Sequence, residues 1–570
     1  MGSRNQKLAK PDIMSLEALI LSEMDSPAKA EKRSDRQKKF ANKIVLSLFF
    51  ILYTQIIPFF DLHAIFLLYF NSMANNIIKF GTSGWRARIG EDFSINNVRR
   101  AAHATALHIK ENKIYGFKGE EYNLHLGSRN AKIGKNPLVI IGYDTRFFSE
   151  NAAKIIAEVF AFHGIVSYVS HSDCPTPTLA WMVMKHNAVG GVMITASHNP
   201  PNYNGYKWTP FWGGPAIPEI TADIELRALS LSAAAVEKRI DFEEASASNL
   251  IKVMDFHKTY FEQISTLVDT SLIKKAGLKV AVDSVHGACR TYLRPFLENI
   301  GVKVTGIREN RDVYFAGHSP DTDKENLSEL IKIVTKNKLN LGLACDGDSD
   351  RFGIIDSDGS WISPNTMLGL IFNHLVKNRG LKGRGARSVM TSHFIDAVAR
   401  INGLEVRETP VGFKYIGNLL RTGQYLLGGE ESAGLSVLNH VPEKDGIIAC
   451  LLAAEMVACE KKPIKKILAE IEKQTGTYHN LRLNFHLDEK IDITNVVDRL
   501  NSNPPLNLGG APVWRIDTTD GFKFILKDGS WAGLRPSGTE PVVRIYAESR
   551  DEKKLRDIVE AAKKIAMGNF

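Results

Sequence analysis

Cysteine is scarce in this chain: five in 570 residues, Cys174, Cys289, Cys345, Cys450 and Cys459, an odd number with no C-x-x-C pair. That excludes a disulfide framework and a cysteine-ligated zinc site, and points to a reducing compartment, expected to be the cytoplasm. No G-x-x-x-x-G-K-[ST] occurs, hence no Walker-type phosphate loop, and no G-x-S-x-G elbow of the serine hydrolases. Excess charge is also limited. The formal net charge is +9, with +3 in residues 1–72 and +6 over the other 498. Without a Lys/Arg-rich stripe interleaved with aromatics in the body, nucleic acid is not an expected partner, whereas a small anionic substrate suits the balance. Hydrophobic content of 44% and charged content of 24% are those of a soluble globular protein, and the length suggests three or four domains.

Long apolar runs are missing too, with one exception. From Ile44 to Phe70 the chain is almost wholly apolar, broken by Asp61 and His63, with Pro58 in the middle. Its first part, Ile44 to Phe60, has 17 residues and reaches only the short limit of a membrane span. Basic residues before it (Arg33, Arg36, Lys38, Lys39, Lys43) would hold the N-terminus in the cytoplasm, so a single span would export the body. A hairpin bent at Pro58 would avoid that. The reading favours Met73 as the start, or residues 1–72 as a removable extension, over an anchor. Membrane contact is expected only if the apolar segment is genuine. The run begins too late for a signal peptide.

From Ile77 onward, β-rich apolar runs alternate with amphipathic helical stretches, the pattern of parallel α/β domains. The runs end in polar or glycine-rich loops. Leu138 to Gly142 leads to Tyr143-Asp144-Thr-Arg146, and Leu278 to Val282 leads to Asp283-Ser-Val-His286-Gly. Leu341 to Cys345 leads to Asp346-Gly-Asp348-Ser-Asp350-Arg351, and Tyr425 to Leu427 leads to Gly428-Gly-Glu430-Glu431-Ser432. Beyond about residue 475 the composition changes to a smaller α+β domain. The boundaries drawn are 1–72 (extension), 73–255, 256–360, 361–474 and 475–570.

Residues 195–208, Thr-Ala-Ser-His-Asn-Pro-Pro-Asn-Tyr-Asn-Gly-Tyr-Lys-Trp, set Ser197 between an apolar run and a Pro-Pro turn, at the carboxyl edge of a sheet where α/β enzymes build their sites. Three carboxylates at i, i+2 and i+4 converge if their loop curls around a divalent cation. An EF-hand is the rival explanation, but its sixth position holds Arg351 and its twelfth Ser357. Ser197 is then the candidate phosphoryl carrier. Adjacent side chains in an extended segment point opposite ways, so His198 is read as a substrate or phosphate contact. Lys207 is a candidate proton donor or acceptor, provided nearby positive charge lowers its pKa. Arg535-Pro-Ser537-Gly538-Thr539, with Arg544, has the content of a phosphate cradle. Glu430 and Ser432 offer acceptors for sugar hydroxyls.

With these loops assembled, residues 77–570 resemble the α-D-phosphohexomutase family, the phosphoglucomutases and phosphomannomutases. Five motifs in the family's order carry the resemblance: Phe80-Gly-Thr82-Ser83-Gly-Trp-Arg86, Thr195-Ala-Ser-His-Asn-Pro200, Asp346-Gly-Asp-Ser-Asp-Arg351, Gly429-Glu-Glu-Ser432 and Arg535-Pro-Ser-Gly-Thr-Glu540. It implies four domains around a central cleft, three related α/β domains and a C-terminal α+β domain. It implies a phosphoserine at Ser197, and Mg²⁺ held by Asp346, Asp348, Asp350 and that seryl phosphate. Thr82, Ser83, Arg86, His198, Lys207 and Arg351 match positions around the reacting groups. Glu430 and Ser432 match the sugar loop. Gly412 and Lys414, in Thr409-Pro-Val-Gly412-Phe-Lys414, fall in the sugar-specificity loop. Arg535, Ser537, Gly538, Thr539 and Arg544 match the clamp on the non-reacting phosphate.

The implied activity interconverts hexose 1-phosphate and hexose 6-phosphate through a 1,6-bisphosphate, with glucose 1,6-bisphosphate as activator. There are departures. Ser349 stands where glycine is common, and Ala433-Gly434 stands where mannose-type bacterial members carry Gly-His, the latter favouring glucose over mannose; glucosamine phosphate ranks below both. The rivals are an inactive sensing or scaffolding subunit and a phosphatase with the same seryl intermediate. Oligomeric state stays open. Since every motif lies beyond residue 72, a chain beginning at Met73 is expected to fold, stay soluble and turn over normally. Loss of solubility or turnover beside an active full-length protein would place residues 1–72 in the working molecule.

Overall fold

Short apolar strands and the helices between them build three sheets to one plan. The computed structural model describes residues 78–81, 83–111, 136–486, 493–536 and 542–567. The expectations for residues 1–72, including the apolar segment 44–70, and for Thr82, Ser537, Gly538 and Thr539 lie outside the described residues. Among the described residues no helix is long and apolar enough to cross a membrane.

The first sheet holds β1 (Trp85–Arg88), β2 (Leu138–Tyr143), β3 (Val166–Ser170), β4 (Gly190–Ile194), β5 (Tyr203–Pro210) and β6 (Ile251–Met254), in the order β1-β5-β4-β2-β3-β6. The second holds β7 (Lys279–Asp283), β8 (Lys303–Ile307), β9 (Leu341–Cys345), β10 (Phe352–Asp356) and β11 (Trp361–Ile362), in the order β11-β10-β9-β7-β8. The third holds β12 (Arg384–Ser388), β13 (Val406–Thr409), β14 (Tyr425–Glu430) and β15 (Gly434–Val437), in the order β13-β12-β14-β15.

The strands β2–β5, β7–β10 and β12–β15 share one topology. Three parallel strands are joined by two helices, the third strand lies beside the first, and the fourth returns antiparallel against the third. Such central strands are covered on both faces and read as continuous apolar runs, as in Leu341-Gly-Leu-Ala-Cys345, buried throughout. The connection from third strand to fourth leaves each sheet at its carboxyl end. In the first sheet it carries Ser197, in the second the three aspartates, and in the third Glu431, Ser432 and Ala433 after Glu430.

One expectation is corrected here. Gly428 and Gly429 were assigned to a loop, yet β14 runs through them to Glu430. A β-carbon on Gly428 would lie 2.3 Å from Ile416 and one on Gly429 2.1 Å from Leu368, so these glycines serve close packing inside a strand.

The fourth sheet is wholly antiparallel: β16 (His479–His486), β17 (Asn507–Leu508), β18 (Ala511–Asp517), β19 (Phe522–Leu526), β20 (Trp531–Pro536) and β21 (Val542–Ser549), in the order β16-β21-β20-β19-β18-β17. The helix Glu552–Ala566 packs on it, giving the α+β domain expected.

The helix Gly446–Glu460 is buried from Gly446 to Ala458 and has no polar face, as a helix surrounded by protein must be. Asp445 caps it: Oδ1 accepts from the backbone N–H of Ile447 at 2.8 Å and of Ile448 at 3.0 Å. Its Oδ2 accepts from the Tyr260 hydroxyl at 2.6 Å and lies 2.7 Å from His440 Nε2. One carboxylate thus joins the helix to segments near residues 260 and 440. Asp445→Ala should cost about 3–5 kcal/mol, because it strips the cap and leaves a buried hydroxyl and imidazole unpaired. Denaturant unfolding checks this, with Asp445→Asn expected to lose less; an alanine variant as stable as the parent would contradict it.

Candidate active site

Beyond β4 the backbone turns sharply, and Ser197 takes φ 51°, a left-handed value that a side chain with a β-carbon seldom adopts. Its N–H donates to Thr195 Oγ1 at 2.8 Å, and Thr195 Oγ1 donates to Asp144 Oδ2 at 2.6 Å. Its hydroxyl donates to Asp346 Oδ2 at 2.9 Å, although 149 residues separate the two. The turn also corrects the argument made for His198. The segment is not extended, and His198 Nδ1 lies 3.4 Å from Ser197 Oγ, so the two side chains share a side. Burial, then the charges of Arg351 and Arg86, hold the His198 imidazole well below its usual pKa, hence neutral.

The aspartate loop joins β9 to β10, with Cys345 paired to Phe352 at its base. One carboxylate oxygen from each of Asp346, Asp348 and Asp350 lies within 4.8 Å of the others, and all three residues are buried. Ser349 occupies a left-handed position (φ 63°), which explains why glycine would suit that site. Gly347 is required for space: a β-carbon there would lie 2.7 Å from the Ser197 carbonyl oxygen.

Like charges crowd this loop. Burial, then Asp350 and Asp348, push Asp346 well above the ordinary carboxylate range. Burial would raise Asp350 as well, but Lys444, Lys207 and Arg351 outweigh it and hold its pKa low. Lys207 Nζ lies 2.6 Å from Asp348 Oδ2 and 3.5 Å from Asp350 Oδ2; Lys444 Nζ lies 2.7 Å from Asp350 Oδ2. Lys207 stands in β5 opposite Met193, not in a loop. Burial would lower its pKa, yet Asp348 and Asp350 raise it, so the condition set for its acid/base role, a pKa lowered by nearby positive charge, is not met. Asp348 Oδ1 and Asp350 Oδ1 are buried without a hydrogen-bond partner. Two such orphan oxygens beside a third carboxylate fit a hard divalent cation.

Arg86 donates to Asn199 Oδ1 at 2.5 Å, and burial lowers its pKa. Arg351 reaches Asp321 at 3.7 Å and Asp350 at 4.0 Å. Ser83 lines a narrow cavity of about 30 Å³ with Lys207, Asp350 and Glu443. Together with Ser197 and His198 these groups form one cluster.

A second cluster surrounds the third sheet's loop. Glu430 Oε1 accepts from Gly412 N–H at 2.9 Å; burial, then Glu431, push Glu430 up to about 7. Ser432 is half-buried beside it. Lys414 has its amino group 5.2 Å from the Tyr415 ring centre, and burial lowers its pKa. Arg535 and Arg544 stand directly opposite each other on β20 and β21. Arg535 Nε donates to Asp520 Oδ1 at 2.8 Å, and Asp520 Oδ2 accepts from Val411 N–H at 3.0 Å, tying the fourth sheet to the Thr409–Lys414 segment. Lys444 and Arg351 act electrostatically on both Asp350 and Glu430, and so link the two clusters.

Sequence reasoning missed Lys444, Glu443 and Arg146. The first two had a readable signal: Glu443-Lys444-Asp445 is a charged triplet wedged against the apolar run 446–458. Arg146 was noted only as part of a polar loop.

Models of the phosphoglucomutase/phosphomannomutase family match in chain order: α/β/α domain I over residues 122–234, domain II over 258–359, domain III over 363–474 and the C-terminal domain over 461–565. A phosphoglucomutase of Komagataeibacter xylinus is 32% identical over 513 residues, covering 84% of this chain and 88% of that one. A phosphoglucomutase/phosphomannomutase of Thermococcus kodakarensis is 31% identical over 435 residues, covering 76% and 90%. The fold is shared with the open form of the Paramecium phosphoglucomutase pp63/parafusin, at a TM-score of 0.71 and 24% identity over 86% of this chain and 94% of that one.

Gly347→Ala should force the serine and aspartate loops apart, since the new methyl meets backbone on one side and Pro320, at 2.9 Å, on the other. A displacement of this kind costs about 100-fold in turnover. Steady-state rates paired with a melting curve check it; full activity would show that the contact relaxes freely.

Proposed function

Because the chain belongs to the phosphoglucomutase/phosphomannomutase family of intramolecular phosphotransferases, we propose that this hexose-phosphate mutase interconverts glucose 1-phosphate and glucose 6-phosphate through a phosphoserine at Ser197. Mannose phosphates are the next substrates. The observation that carries the reading is the 2.9 Å hydrogen bond from Ser197 Oγ to an aspartate of a three-carboxylate loop.

The phosphoryl group leaves Ser197 Oγ for the free hydroxyl of the bound hexose phosphate: the seryl O–P bond breaks as the sugar O–P bond forms, and the proton lost by the sugar hydroxyl is matched by the one that Ser197 Oγ gains. The 1,6-bisphosphate then turns within the cleft and its other phosphate returns to Ser197. Asp346, Asp348 and Asp350, with a seryl phosphate oxygen, would hold Mg²⁺, which supplies charge neutralisation at the transferring group. Lys207, held beside Asp348 and Asp350, hydrogen-bonds the phosphoryl oxygens and passes the proton between the sugar hydroxyl and Ser197 Oγ as donor to one and acceptor from the other. Neutral His198 contacts phosphate or substrate, Arg86 and Arg351 stand at the reacting end, and Thr82 and Ser83 are substrate contacts by their place in the motif. Glu430 and Ser432 take sugar hydroxyls, and Gly412 and Lys414 border the sugar. Arg535, Ser537, Gly538, Thr539 and Arg544 clamp the distal phosphate, for which paired guanidinium forks are suited. Ala433-Gly434 after Ser432 supports the preference for glucose.

The test is a coupled assay of glucose 1-phosphate against mannose 1-phosphate with Mg²⁺ and glucose 1,6-bisphosphate, beside peptide mass analysis of the active enzyme. Glucose should give the higher kcat/KM, phosphate should sit on Ser197, and Ser197→Ala should lose turnover by orders of magnitude, roughly the 10⁴-fold or more expected when a covalent nucleophile is removed. Phosphate found only on another residue would sink the assignment, and a higher efficiency for mannose would reverse the order of sugars.

A further inference from the structure

Arg146 is fully buried, and both terminal nitrogens of its guanidinium face carbonyl oxygens. One terminal nitrogen donates to Pro200 O at 2.8 Å and Tyr203 O at 3.0 Å; the other donates to Ser197 O and Asn199 O, each at 2.6 Å. Four carbonyls of the 197–203 segment therefore converge on one guanidinium, whose planar fork fixes their directions together. Asp144 orients it, with Oδ2 3.2 Å from Arg146 Nε, and the Phe315 ring lies 5.0 Å from its central carbon. The same Asp144 Oδ2 accepts from Thr195 Oγ1, which accepts from the Ser197 N–H. Ser197 is thus held at both backbone ends: its N–H through Thr195 to Asp144, its carbonyl directly by Arg146. Between those anchors lies the left-handed φ of 51° that turns Oγ toward Asp346.

A left-handed serine costs about 1–2 kcal/mol relative to a relaxed one, so the conformation persists only where its surroundings impose it. We propose that Arg146 is a positioning residue for phosphoryl transfer: it holds the Ser197–Tyr203 backbone in the shape that aims Oγ at the aspartate loop, and its loss slows transfer at Ser197 without weakening the hold on the hexose phosphate. This rests on the phosphoserine reading above. Its chemical content is orientation, since Arg146 touches neither Ser197 Oγ nor any of the three aspartates.

The test compares Arg146→Lys and Thr195→Val with the parent. Lysine keeps a positive charge beside Asp144, but one ammonium cannot serve four divergent carbonyls. Valine keeps the shape of Thr195 and removes the link from Ser197 N–H to Asp144. For Arg146→Lys we expect kcat lower by about 10- to 100-fold with KM within about threefold, the signature of a misdirected reacting group. Phosphorylation of Ser197 by glucose 1,6-bisphosphate in a single turnover, followed by intact mass, should slow by the same factor, measured on the folded fraction. Thr195→Val should act in the same direction, and the double variant should lose less than the product of the single losses, as for groups acting as one unit. Arg146→Lys with parental kcat would overturn the proposal, as would a rise in KM that accounts for the loss. If that variant does not fold, Thr195→Val with parental kcat overturns it alone. Phosphate on a residue other than Ser197 in the parent would instead refute the phosphoserine reading, whatever the variants do.

Discussion

Three carboxylates brought within 4.8 Å inside a buried loop repel one another, and cations from several parts of the molecule counter that repulsion. Two unit charges 4 Å apart interact by about 4 kcal/mol in a protein-like medium, comparable with the net stability of a domain. The countercharges come from separate sheets: Lys207 on β5, Arg351 at the end of the loop itself, and Lys444 ahead of the central buried helix. That helix also begins on the loop, with Gly446 N–H donating to Ser349 O at 2.9 Å, so the positive end of its dipole faces the acids. Sheets that each fold around their own apolar strands are joined where charge must be balanced.

How much of this could be read from the sequence follows from the range of each interaction. The parallel strands were legible because strands covered on both faces must be continuously apolar, and the reactive loops were legible because they follow such runs directly. The aspartate spacing and the place of Ser197 directly after an apolar strand are local patterns that the described residues keep, whereas most of the arginine loop lies outside them. The charged triplet at Lys444 was legible but its partner was not, since a lysine 94 positions from its aspartate meets it only when two sheets come together. The same holds for Lys207: its neighbours in sequence gave no hint that two carboxylates would raise its pKa. Gly428 and Gly429 misled because glycine marks a turn and a close packing contact equally well, and only Ile416 and Leu368 decide between them.

The shared topology extends to bracing. In each of the three sheets the loop after the first strand supports the loop after the third. Asp144 takes the Thr195 hydroxyl; Ala288 N–H donates to Gly347 O at 3.0 Å; Glu431 N–H donates to Thr391 Oγ1 at 3.2 Å. Adjacency of first and third strands makes this possible, because their carboxyl ends open side by side. One mechanical solution thus carries three different sets of side chains, a buried hydroxyl, a carboxylate cluster and a pair of glutamates, which are set only by the residues written into the braced loop.

The separation of Lys444 from Asp350 also orders events on the ribosome. At about 5–20 residues per second, the 94 residues between them take roughly 5–20 s to synthesise. During that interval the nascent chain already contains all three aspartates and Lys207 but lacks the cation that lies 2.7 Å from Asp350. The acidic loop of a half-made chain therefore lacks one of its three countercharges until the segment after the third sheet is made.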